Sequence, residues 1–212
     1  MKIGILGSGR MGGALGRIWA ACGHEVCFAY ARSAQKLDRL AQETGGHSAG
    51  VAETVAHAEA LLLAVHWSRV PDVLAQAGDM AGKLVLNCCV PLDATDSRIV
   101  LGGTTSGAED LARRRPAARW VSCFNTVPSE SLGRVFARRG RGPAPQALTC
   151  ADDGAARAAA TPLIRDTGFA PLDCGGLSNA RFVEPFAMVT AELAYAQPGG
   201  PALTYVFTKL RG

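Results

Sequence analysis

Nowhere in its 212 residues does the chain carry a run approaching the roughly 18 apolar residues that cross a bilayer; the densest, Leu61–Val65, has the length of a strand. A membrane protein is not expected. Charge is also scarce: 19% of residues are Asp, Glu, Lys or Arg, too few for a disordered chain, while 48% hydrophobic residues supply a core. A balance of +4, from 22 Lys and Arg against 18 Asp and Glu, does not build the phosphate-tracking face of a nucleic-acid binder. The clusters Arg113–Arg115 and Arg138–Arg139 read as solvated faces, and a small polyanion remains a plausible ligand. The seven cysteines (22, 27, 88, 89, 123, 150 and 174) form no CxxC pair, and His, Cys and acidic residues nowhere show metal-ligand spacing. Reduced structural thiols in a cytoplasmic protein, and no metal, are the expectation. Met1–Gly7 lacks the charged and apolar regions of a secretory signal, and the absence of a repeat of roughly 20 to 50 residues excludes solenoids and propellers.

What is present is an alternation of short apolar runs with Ala-rich helical patterns, which predicts a Rossmann-type α/β fold: a doubly wound, mostly parallel sheet covered by helices. Strands are expected at Lys2–Leu6, Glu25–Tyr30, Ala60–Val65, Lys83–Asn87, Arg119–Phe124 and Gln146–Cys150. Leu15, Ile18, Trp19 and Cys22 recur at helical spacing directly after the first strand and mark one buried helix face. Further helices are expected at Ser68–Gln76, Ala108–Arg115 and Asp153–Arg165, the last capped by Asp152 or Asp153. Arg138–Pro145 has the composition of an exposed loop. Beyond Gly175 and Gly176, Phe182, Phe186, Val189 and Leu193 fall at helical spacing, with Pro185 either opening or kinking the helix. The organisation expected is a dinucleotide-binding domain over 1–174 and a small helical cap over 175–212.

The most informative motif is Gly7, Ser8, Gly9, Arg10, Met11, Gly12, a GxGxxG that follows an apolar strand and opens an amphipathic helix. In that setting Gly7 permits the tight turn, Gly9 clears the approach of a pyrophosphate to backbone, and Gly12 lets helix and strand pack closely. The helix start offers free N–H groups to the anion. At the end of the second strand a carboxylate would select an unmodified ribose, but the chain reads Tyr30, Ala31, Arg32, Ser33. Arg32 can fork onto a 2′-phosphate, Ser33 can donate a hydroxyl, and Lys36 adds a second cation one turn on, which favours NADP(H) over NAD(H). Otherwise Arg32 and Lys36 are solvent-facing charges at a helix start. His66, after the Leu61–Val65 run, either faces the nicotinamide or packs beside Trp67. Cys88 and Cys89 have no neighbouring cation and read as packing residues. Asn125 is a candidate cofactor or substrate contact, and Ser129 a helix cap.

Five segments together give the chain a family resemblance: Gly4–Gly16, Gly23–Ser33, Leu61–Trp67, Phe124–Glu130 and Gly175–Pro185. It resembles the NADPH-dependent reductases of the coenzyme F420 family, whose members exchange a hydride between NADP(H) and a deazaflavin. The resemblance implies that Ser8, Gly9, Arg10 and Met11 meet the pyrophosphate and that Ala31, Arg32, Ser33 and Lys36 surround the 2′-phosphate. It also puts Ala64, Val65 and His66, with Val90 and Asn125, on the nicotinamide side. It further implies a homodimer in which the C-terminal region helps enclose coenzyme F420, a flavin or a similar flat redox partner. Hydride transfer between stacked rings obliges no side-chain acid or base, so no catalytic residue is assigned. The chain departs from the family's pattern at Ala31, where a serine is usual, at His66, where a proline is usual, and at Cys89 and Val90, where polar residues are usual. Two other readings are a reductase of small imines or keto acids and a non-catalytic NADP(H)-binding sensor.

Overall fold

Apolar runs bounded by turn residues become strands here because helices cover both faces of the sheet and leave no side exposed. The computed structural model describes residues 1–210. In chain order it forms β1 (Lys2–Leu6), α1 (Arg10–Ala21), β2 (Glu25–Ala29), α2 (Ala34–Thr44), β3 (His47–Ser48), α3 (Val51–His57), β4 (Ala60–Leu63) and α4 (Val70–Gln76). There follow β5 (Leu84–Asn87), α5 (Gly107–Arg114), β6 (Arg119–Cys123), α6 (Ser129–Arg138), β7 (Gln146–Cys150), α7 (Gly154–Asp166), β8 (Ala170–Asp173) and α8 (Ala180–Ala191). A 3-10 turn at Trp67–Arg69 leads into α4, and α8 runs on into a wide π turn, Glu192–Ala196.

The sheet has the order β3-β2-β1-β4-β5-β6-β7-β8. Its pairs are parallel except β6 with β7. Chain direction across the sheet reverses between β1 and β4, and in such a doubly wound sheet ligands bind in the crevice outside the carboxyl ends of those two strands. Alternation along β1 divides the core. Ile3 and Ile5 join Leu15, Trp19, Leu132 and Leu163 on one face, whereas Leu6 joins Val55, Val73 and Leu111 on the other. The indole N–H of Trp19 donates to the Leu163 carbonyl at 2.8 Å, so even this ring's polar atom is satisfied inside.

All six expected strands form, several ending earlier than the apolar pattern suggests. Tyr30 and Phe124 adopt left-handed backbone, φ 62° each, which terminates β2 and β6 and turns the chain toward the crevice. Cys22 lies just beyond α1, so the helical face ends at Trp19. The cap of α7 is Asp153, whose carboxylate accepts the Ala155 N–H at 2.8 Å. Ser129 does not cap α6: Pro128 holds that position, and the Ser129 hydroxyl donates to Glu130 instead. β3, α3 and β8 are too short to show a period, and β8 is an edge strand that tolerates Pro171.

Residues after Gly175 build onto the same core, with Leu177, Ala180 and Val183 buried beside α5. The helical spacing of Phe182, Val189 and Leu193 is present, but this stripe faces outward at 73%, 51% and 49% exposure, while Ala180, Val183, Glu184, Ala187 and Thr190 face in. Pro185 stands inside α8. The tail returns along β7: Gln146 N–H donates to the Tyr205 carbonyl at 3.1 Å, and the rings of Phe186, Tyr205 and Phe207 pack edge to face or tilted. Among the described residues, no helix is long and apolar enough to cross a membrane.

Candidate functional site

The crevice at the switch point is framed by the turn after β1. Gly7 has φ +113°, and a Cβ there would lie 2.3 Å from the Ala64 carbonyl oxygen, so the two central strands close to backbone contact. A Cβ on Gly12 would stand 1.9 Å from the Gly7 carbonyl, which seats α1 directly on the turn. Gly9, the residue before α1, has nothing within 4 Å of an added Cβ; its missing side chain leaves open space over the helix start. α1 has no side-chain cap and no acidic residue in its first turn, so its N–H groups face the crevice uncompensated. Ser8 is buried, with its N–H on the Tyr30 carbonyl at 3.2 Å, while Arg10 and Met11 follow on the first turn.

Beside this turn the second strand delivers a cationic ledge. The left-handed turn at Tyr30, whose hydroxyl donates to Asp72 at 2.6 Å, aims Ala31 and Arg32 out of the sheet. Ser33 precedes α2 with its hydroxyl uncommitted to the helix, and the first turn of α2 holds no acidic residue. Arg32 and Ser33 are exposed and Lys36 half-buried, and neither cation has an ion-pair partner among the described residues.

Across the switch point, the loops after β4, β5 and β6 are stitched together by side chains. His66 accepts the Ser68 N–H at Nδ1 (3.2 Å), which leaves Nε2 to donate to the Asp93 carbonyl at 3.0 Å, with Asp96 at 3.1 Å. Nδ1 therefore fixes the ring within its own loop after β4, and Nε2 ties that loop to the loop after β5. Asn125 is buried; its amide donates to the Cys89 carbonyl at 2.7 Å and its oxygen accepts the Ser122 hydroxyl at 2.9 Å. Ala64, Val65 and Val90 line the remaining wall as half-buried residues. Asn87 accepts the Cys89 N–H at 3.0 Å, and its buried Nδ2 has no partner among the described residues. Burial drives the Cys88 thiol well above its ordinary range and that of Cys89 to about 12, so neither is a ready nucleophile.

Four groups around the crevice lay beyond motif reading because their partners are distant in sequence. Glu130 receives Arg10 at 3.4 Å and the Tyr195 hydroxyl at 2.8 Å, joining the glycine turn to the C-terminal segment. Burial raises the Glu130 carboxyl, but the hydrogen bonds from Tyr195 and Ser129 and the charge of Arg10 outweigh it and hold the group low. Tyr205 meets the Thr126 hydroxyl next to Asn125. Glu184, fully buried on α8, accepts the N–H groups of Gly107 and Ala108 at 2.7 and 2.8 Å. A cavity of about 330 Å³ between Arg134, Arg138 and Thr204 includes none of the residues singled out for the dinucleotide.

Sheet order and glycine turn define a Rossmann-like fold, with a cationic ledge free of carboxylates beside the turn. Residues 2–91 match the family described as NADP oxidoreductase, coenzyme F420-dependent. The crystal structure of a candidate F420-dependent NADP-reductase from Arthrobacter sp. FB24 is similar over 89% of this chain and 91% of that one, with TM-score 0.79 and 26% identity. A protein of Sinorhizobium meliloti shares the fold over 98% and 96% of the two chains at TM-score 0.75 and 24% identity. A reductive aminase of Aspergillus terreus, solved with NADPH and ethyl levulinate, shares it over 91% of this chain and 61% of its own at TM-score 0.66 and 21% identity. Among curated proteins, Metalloreductase STEAP3 of Rattus norvegicus is 31% identical over 186 residues, which cover 86% of this chain. The chain spans about a third of that relative's length, 36%.

Proposed function

We propose that the protein is an oxidoreductase that passes a hydride between NADP(H) and a deazaflavin or similar flat redox partner, held between the sheet's carboxyl edge and the C-terminal segment. The observation that carries the NADP(H) half is the pairing of an open, uncompensated helix start at Gly9 with a ledge of Arg32, Ser33 and Lys36 that contains no carboxylate. The nicotinamide, when bound, supplies the hydride chemistry. Arg32 and Lys36 would hold the 2′-phosphate, the turn Ser8–Met11 the pyrophosphate, and Ala64, Val65, Val90 and Asn125 the wall against which the ring is oriented. His66 acts on this site by fixing two of its loops, since both its nitrogens are engaged.

The reading of the second substrate rests on the matched family and on the way Tyr205 and Tyr195 bring the C-terminal segment to the crevice edge. Residues 175–210 then form a cap in function while sharing the core of the main sheet. The outward stripe Phe182, Val189 and Leu193 supports a homodimer, because a second copy would remove this apolar surface from water. Free thiols support a reducing, cytoplasmic setting.

The deciding measurement is anaerobic NADPH oxidation by purified protein with coenzyme F420, free flavin or no acceptor. Consumption with the deazaflavin or flavin, and none without, is the expected result. Tight NADPH binding with no hydride loss would establish the sensor reading instead, and turnover confined to small imines or keto acids would replace the flat acceptor.

A further inference from the structure

Cys150 and Cys174 stand 24 positions apart, and neither belongs to any motif that carries the dinucleotide reading. The parallel pairing of β7 with β8 runs in register from Gln146 with Ala170 to Thr149 with Asp173, so the next pair of positions is Cys150 and Cys174. Backbone hydrogen bonds hold the two residues on either side: Cys174 N–H to the Thr149 carbonyl at 2.8 Å and Ala151 N–H to the Gly175 carbonyl at 3.0 Å. Both side chains turn to the same face of the sheet and join one apolar cluster. Neighbouring strands lie about 4.8 Å apart, inside the Cα separation that a disulfide spans. The two thiols differ in access: Cys150 is fully buried, whereas Cys174 is only half-buried, with its thiol 3.5 Å from the Leu172 carbonyl.

We propose that Cys150 and Cys174 are a redox pair that closes to a reversible disulfide by exchange with a small disulfide of the glutathione type. The more accessible Cys174 thiolate attacks one sulfur of glutathione disulfide, forming a mixed disulfide and releasing one glutathione thiolate. Cys150 gives its proton to that departing thiolate and attacks the Cys174 sulfur, displacing the second glutathione. Two protein thiols are oxidised and one glutathione disulfide is reduced to two thiols. The division of roles follows access: Cys174 is the more exposed of the two, and its proximity to Cys150 lowers its thiol from the ordinary range, whereas proximity to Cys174 and burial raise that of Cys150. The carboxylates of Asp173 and Glu184 also face the pair, and Asp173 is paired with the Arg157 guanidinium at 3.2 Å. Closure would tie β8 to β7 immediately before the Gly175–Gly176 turn that leads into α8.

The test is thiol mapping of the native, full-length chain by alkylation and mass spectrometry after exposure to excess oxidised glutathione. The expected result is loss of two of the seven alkylatable thiols and a single cross-link between the peptides holding Cys150 and Cys174, reversed by reduced glutathione. In C150A the reaction should stop at one glutathione on Cys174, and in C174S Cys150 should remain unmodified. A persistent glutathione on Cys174 of the unaltered chain, preferential modification of Cys22, Cys27 or Cys88, or no reaction would each overturn the proposal. The unaltered chain decides the outcome by itself, so the test stands even where a variant fails to fold.

Discussion

Glu184 caps a helix to which it does not belong: its Oε2 accepts the Gly107 N–H at 2.7 Å, so a carboxylate of α8 closes the N-terminus of α5. Burial raises this carboxyl from its ordinary 4.5 to about 7, against the pull of the two N–H donors. The folded state then holds the proton more tightly than the unfolded chain, so stability is greatest below pH about 4.5 and falls as pH rises toward 7. The loss attributable to this group is at most about 3 kcal/mol for a shift of this size. In E184Q that part of the pH dependence should vanish from denaturant unfolding measured between about pH 5 and 8, whereas an unchanged slope would place the titration elsewhere.

Gly9 and Gly12 belong to one motif and should separate cleanly. G12A drives a Cβ to 1.9 Å from the Gly7 carbonyl and should cost about 3 kcal/mol of stability. G9A meets nothing within 4 Å and should fold within about 1 kcal/mol of the unaltered chain, yet bind NADPH more than about tenfold more weakly. Thermal melts and calorimetric titration distinguish the two; a destabilised G9A with intact affinity would reverse the assignment.

R32A should weaken NADPH by about 10- to 100-fold, the worth of a charge-assisted contact to phosphate, and leave NADH nearly unchanged. K36A should act in the same direction with a smaller effect, because an ammonium cannot fork onto phosphate. Equal losses for both dinucleotides would assign these cations to another part of the ligand.

The stripe on α8 predicts its own test. F182E with L193E places two charges on surface that is already exposed, so the melting temperature should hold. If the stripe joins two copies, each lost contact removes about 2 kcal/mol and sedimentation should shift from dimer to monomer. A monomeric unaltered chain at micromolar concentration would end the dimer reading.

Short apolar runs such as Ala60–Leu63 were enough to locate the sheet, since a strand buried on both sides leaves a contiguous signal, and Gly7, Gly9 and Gly12 carry their steric meaning in the chain itself. Arg32, Ser33 and Lys36 were likewise readable as a ledge, because a strand end and the following helix start are neighbours along the backbone. Glu130, Glu184 and Tyr205 were not, as each finds its partner across 65 to 79 residues. Ser129 shows the converse limit: its residue type suited a cap, but Glu130 beside it took the hydroxyl. The amino-acid sequence alone thus determined the class of fold, the glycine turn and the cationic ledge, whose geometry rests on backbone freedom and neighbouring residues. Only the tertiary structure decided how the C-terminal segment is fastened and which two thiols meet, because those depend on the order in which strands and helices pack.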